Sequence, residues 1–193
     1  TAAISAAREG VSVSLVEEGP WLGGMLTSAG VSAIDGNYRM RAGLFGTFCD
    51  SLAAHYGGYD KLRTGWVSNI LFEPSVGQYI LRKMLVSNPN ISLSLDTKAI
   101  AFKKLENGWK VTVIRDGKKI NYVAKVLIDA TELGDVAAAC GVKYDIGMDS
   151  RSVTGENIAP ANANGIIQDL TYVAILKDYG PDADKVIDKP FGY

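Results

Sequence analysis

Two short runs hold the side chains best suited to chemistry. The first is the acidic pair Glu17-Glu18, followed by Gly19, Gly23, Gly24 and Met25; the second is Asp129, Thr131, Glu132, Gly134 and Asp135. An acid at the end of a short apolar strand can accept hydrogen bonds from both hydroxyls of a ribose, and a dinucleotide fold places it roughly 20 residues after its phosphate-binding glycines. A glycine doublet just beyond that acid lets backbone come closer to a ligand than any side chain allows. A solvated strand end is the commoner fate of an arbitrary acidic pair, and Gly23-Gly24 tips the balance the other way. Paired carboxylates also bring glycoside hydrolysis to mind. Neighbouring acids on a strand point to opposite sides, however, and cannot flank one bond.

Other reactive groups are sparse. His55 is the one histidine and the obvious general base on titration grounds. It lies among Ala53, Ala54 and Tyr56 on an expected helix, where a histidine is more often structural. Asp35, Arg39 and Arg41 cluster in one loop; arginines there would clamp an anionic or polyhydroxylated substrate, although solvated loop charges are just as common. Cys49 and Cys140 stand far apart with no CxxC or metal-ligand spacing, so no metal site is expected and both read as free thiols.

The elements that must position these residues follow from the pattern. Residues 1–9 are rich in Ala around Ile4, and Gly10 is a helix stop. Residues 11–16 alternate as a short apolar strand that ends at Glu17. Helix, glycine, strand and acid make the second half of a βαβ unit, which places Thr1 and Ala2 at a helix N-terminus able to hold a pyrophosphate. Residues 19–43 carry six glycines and read as a long functional loop with short helical turns. Residues 42–56 and 75–86 have helical spacing, with residues 66–72 between them. Residues 91–95 form a second parallel strand. Asn107-Gly108 and Asp116-Gly117 then punctuate three alternating segments into an antiparallel meander. Residues 126–128 are expected to return as a buried strand of the parallel sheet, and residues 169–176 alternate like a strand of another sheet.

The bulk numbers exclude some classes. With 20 Lys and Arg against 21 Asp and Glu, the 193-residue chain has no charge excess to attract nucleic acid or an anionic membrane face. Its 47% hydrophobic content and 21 glycines suit an α/β protein with many tight turns. No apolar run approaches the roughly 20 residues of a membrane helix. No compartment or oligomeric state is assigned.

The run Glu17-Glu18-Gly19-Pro20-Trp21-Leu22-Gly23-Gly24-Met25 resembles the ribose acid and glycine doublet of the FAD-dependent oxidoreductase family. Leu127-Ile128-Asp129-Ala130-Thr131-Glu132-Leu133-Gly134-Asp135 resembles the same family's second signature, in the right order along the chain. Thr97-Lys98-Ala99 matches the place where such proteins offer backbone groups to adenine, and the loop over residues 26–46 resembles the region beneath the flavin ring.

This resemblance implies a Rossmann-like parallel sheet with a β-meander crossover, the FAD-binding fold of glutathione reductase type, over residues 1–147. Residues 148–193 would begin a second, substrate-side domain. The chain is expected to enter after the first strand and its GxGxxG loop. FAD is the implied cofactor. Its contacts would be Thr1, Ala2, Glu17, Glu18, Gly23, Gly24, Met25, Thr27, Ser28, Ala99, Thr131, Gly134 and Asp135, with the flavin near residues 27–30 accepting a hydride from a small-molecule substrate. Two other classes stay open: a nicotinamide-dependent dehydrogenase, which would share the ribose acid, and a non-catalytic dinucleotide-binding module.

Overall fold

The computed structural model describes residues 1–35, 38–65, 68–169 and 176–192. Helix α1 (Ala2–Arg8) is closed by Gly10 at φ +80, with Gly10 N–H donating to Ala7 O at 3.0 Å and Val11 N–H to Ala6 O at 3.1 Å. This double bond over a left-handed glycine turns the chain straight into strand β1 (Val13–Val16). Strand β4 (Ile91–Ser94) lies parallel to it, Val13 opposite Ile91 and Val16 opposite Ser94. Ile4, Leu22 and Leu85 form a small core against Leu15, Ile91 and Leu93, so α1 is pinned to the sheet that carries Glu17.

The long connection between β1 and β4 has its own core. Strand β2 (Ala33–Ile34) pairs antiparallel with β3 (Ile70–Leu71), and helices α2 (Gly43–Tyr56) and α3 (Pro74–Val86) pack beside them. Phe48, Leu52, Leu62, Ile70, Phe72 and Ile80 are buried together, and Phe48 meets Phe72 edge to face at 5.6 Å. Pro74 starts α3 because its missing N–H would have no partner in the first turn, and Gly57 at φ +85 ends α2. Gly46 of α2 is set against the preceding loop: a Cβ there would come within 2.8 Å of the backbone carbon of Arg41. Gly46→Ala is expected to cost about 1 to 2 kcal/mol through this overpacking, read as a lower urea midpoint at unchanged slope.

Strands β5 (Thr97–Leu105), β6 (Gly108–Arg115) and β7 (Lys118–Ala124) form the expected meander. The second hairpin turns at Asp116-Gly117, both at positive φ, as the sequence predicts. The first does not turn on Asn107-Gly108. Leu105 faces Gly108, so Glu106 and Asn107 make the turn and Gly108 is already in β6. Its glycine serves a different end, since a Cβ there would sit 2.2 Å from Ala124 O on β7.

Residues 126–128, expected as a buried return strand, form no strand; Val126 is 72% and Ile128 59% exposed. The parallel sheet of the described residues holds only β1 and β4, and these three residues pair with neither. An apolar run without a neighbouring ladder has nothing to hold it extended. Beyond them come the short helices α4 (Asp135–Ala139) and α5 (Arg151–Thr154) and an isolated bridge between Met148 and Asn164. Residues 170–175 of the strand expected at 169–176 lie outside the described residues.

Candidate functional site

The two signature runs, remote in sequence, meet at the C-terminal end of β1. Thr97 N–H donates to Glu17 O at 3.0 Å and Asp96 N–H to Gly19 O at 3.1 Å, which ties the chain after Glu17 to the start of β5. Lys98 Nζ donates to Glu18 Oε1 at 2.7 Å, and Asp135 of α4 adds to the field that holds the Lys98 ammonium above its ordinary value, after Glu18 itself. Helix α4 lies beside β5 without burying a residue. From the other side, a Cβ on Gly24 would lie 3.4 Å from Glu132 Oε1. The ribose-type acid, the glycine doublet, the start of the meander and the Asp-Ala-Thr-Glu turn therefore surround one place.

Each side chain there has a definite task. Glu17 is half-buried; its Oε1 accepts Gly19 N–H at 3.0 Å, and no cation pairs with it among the described residues. Glu18 is exposed and neutralised by Lys98. Gly23 and Gly24 adopt φ +112 and +50, a tight reversal that opens the 3₁₀ turn Gly24–Leu26. Beneath it Thr27 is buried and its hydroxyl donates to Leu22 O at 2.5 Å, while Ser28 Oγ donates to Gly24 O at 3.2 Å and Met25 stays exposed. Ala99 precedes a bulge at Ile100, where the register with β6 shifts and leaves backbone groups outside the ladder.

The second run is locked by Asp129. Its Oδ1 accepts Thr131 N–H at 2.8 Å and Thr131 Oγ1–H at 2.7 Å, its Oδ2 accepts Ala137 N–H at 2.7 Å, and Thr131 Oγ1 accepts Asp135 N–H at 2.9 Å. Gly134, at φ +73, turns the chain into α4.

A family model described as FAD dependent oxidoreductase matches residues 1–190. The chain belongs to this family. No curated protein matches it. FAD is the cofactor of the family, which supports a general FAD oxidoreductase function for this member. The residues present fit that cofactor. A strand-end carboxylate with no cation on it suits paired ribose hydroxyls, and the glycine doublet and bulge bring bare backbone to the same place.

Among the described residues no hydrogen bond or ion pair joins the remaining candidates of this flavoprotein to the two signature runs. Thr1 and Ala2 are exposed at the start of α1. His55 is exposed on α2, its ring edge-on to Tyr56 at 4.8 Å, and no hydrogen bond or ion pair joins it to another described residue. Asp35 is exposed and does not line the concavity that takes Arg39 and Arg41. Those two arginines do come together, with Tyr59 and Arg63 from the turn after α2. Lys98, Glu132 and Asp129 also take part where the two signature runs meet; all three stand inside the two motifs and the strand start. Arg63 had no signal of its own, because only the folding back of the 3₁₀ turn Tyr59–Leu62 brings it near Arg39.

Proposed function

We propose that Glu17 holds the adenosine ribose of FAD, that the backbone of Gly23-Gly24 and of the Ala99 bulge lines the cofactor, and that the protein oxidises a small-molecule substrate. Bound flavin supplies hydride acceptance, and the chain supplies position and polarity. The observation that carries this reading is the convergence of the two signature runs, with Gly24 against Glu132 and Lys98 joining Glu18 beside Asp135. Glu17 is the ribose acid in preference to Glu18 because Glu18 is already paired to Lys98. Ser28, Met25, Thr131, Gly134 and Asp135 shape the walls of that site, the buried Thr27 supports the turn from beneath, and Thr1 and Ala2, at the start of α1, take the pyrophosphate.

The absorption spectrum of the purified protein, followed by release of the pigment on heating, tests the reading. Bands near about 370 and 450 nm, carried by the cofactor itself, support it. A colourless protein that takes up no added FAD overturns it. Glu17→Gln removes the charge from the ribose hydrogen bonds and is expected to weaken FAD about tenfold, or about 1.4 kcal/mol. Titration of the apoprotein with FAD measures this, and Glu18→Gln, which loses only an exposed ion pair, serves as the reference variant.

A further inference from the structure

Away from the two signature runs, Arg39, Arg41 and Arg63 open onto one concavity of about 630 Å³, shared with Tyr38, Tyr59 and Asn69. That size falls within the roughly 300 to 1,000 Å³ of small-molecule sites. Three guanidiniums line it together with one carboxylate, Asp60, itself 3.5 Å from Lys61, and a second carboxylate, Asp50, acts on Arg41 from the far side of Tyr59. Among the described residues no carboxylate pairs with any of the three arginines. Two of them are nevertheless seated: the Arg41 guanidinium carbon lies 3.9 Å from the Tyr59 ring centre and that of Arg39 lies 5.6 Å from the Tyr38 ring centre. Tyr59 is anchored in turn by donating its hydroxyl to Asp50 Oδ1. Aromatic contact limits where an arginine can point while leaving its N–H groups free for a two-pronged bond to an acid.

We propose that this concavity is a binding site for a small dianion, held through carboxylate or phosphate groups by Arg39, Arg41 and Arg63. The fixed fork of each guanidinium matches either oxyanion, and Arg39, Arg41, Arg63 and Lys61 together exceed Asp50 and Asp60 by two positive charges, which calls for two negative charges in the occupant. Asn69, half-buried at the rim, adds an amide that can donate to the same oxygens, and Ile70 forms an apolar floor. That the dianion is the oxidised substrate rests on the flavoenzyme reading above; the affinity for a dianion does not.

Calorimetric titration of the full chain with malonate and, separately, with inorganic phosphate at low salt tests the site. Saturable binding of at least one is expected. Arg63→Gln should weaken it about tenfold, whereas Arg8→Gln, on α1, should leave it unchanged. Arg63 is exposed, so the substitution should keep the fold, and far-ultraviolet circular dichroism verifies that it does. Malonate alone binding identifies a carboxylate site, phosphate alone a phosphoryl site. If neither binds, or if Arg63→Gln binds as the parent does, the proposal is wrong. Flavin content, read from the visible spectrum of the same samples, separates this result from the cofactor reading.

Discussion

Gly23→Ala is expected to lower stability by about 3 kcal/mol and to release the cofactor. Two costs combine. At φ +112 an alanine is strained by roughly 1 to 2 kcal/mol, and its methyl would land 2.6 Å from Leu81 Cδ1 and 2.7 Å from Thr27 Oγ1, an overpacking worth roughly another 1 to 3 kcal/mol. Leu81 is half-buried and can swing aside. Thr27 cannot, because it is 1% exposed and its hydroxyl is bound to Leu22 O. Relief must therefore come from the turn itself, which would move Gly24 away from Glu132 and open the place where the two signature runs meet. Gly10→Ala is the control: φ is +80 but nothing lies within 4 Å of its Cβ, so the cost should be about 1 kcal/mol with flavin retained. Urea unfolding and the visible spectrum of each variant give both quantities. Equal losses in the two variants would show that backbone strain alone matters and that the packing beneath Gly23 does not.

The contrast between those glycines marks what local reading can reach. Gly10, Gly57 and Asp116-Gly117 do what their neighbours in sequence require, and the elements they end or join, α1, α2 and the β6-β7 hairpin, stand where the periodicity puts them. Gly108 answers to a strand end that a sequence window does not contain, the Ala124 carbonyl, so the hairpin signal Asn107-Gly108 was displaced by a residue. Residues 126–128 have the composition of a buried strand, but a strand also needs an adjacent ladder, and that is a property of the sheet. The acids and glycines of the candidate site were legible as types, and Glu17 by its place at the strand end. That Glu18 is already paired was not, because its partner is a lysine 80 positions away. The same holds for the arginine concavity: Arg39 and Arg41 stand out in one loop, while Arg63 and Asn69 join them only through the fold.

Asp129 presents the second large expectation, and it carries a pH dependence. Helix α4 is five residues long and buries none of them, so packing contributes little to its order. Its first turn is held instead by the Asp129 carboxylate, which accepts from Ala137 N–H while also closing the turn at Thr131. Partial burial presses this carboxyl upward, but the Thr131 and Ala137 N–H groups and the Thr131 hydroxyl outweigh it and hold the group below its ordinary value. A depressed value in the folded state means that the ionised form stabilises the fold. The contribution is complete above the ordinary carboxylate range, near about pH 4, and is lost as pH falls through the folded value. Asp129→Asn can keep the bonds to Thr131 through its carbonyl oxygen, but the amide nitrogen cannot accept from Ala137 N–H. The helix start is left without an acceptor or a countercharge, a local loss of about 2 to 3 kcal/mol. At neutral pH, amide exchange over residues 136–140 should therefore be much faster in the variant. Acidification should bring the parent towards the variant's protection once intrinsic exchange rates are corrected for. FAD affinity should drop with α4, since Glu132 and Asp135 reach Gly24 and Lys98 only while the turn between Asp129 and α4 is intact. Equal protection of parent and variant across this pH range would mean that α4 is held by something other than Asp129, and the link from that carboxylate to the cofactor site would be broken.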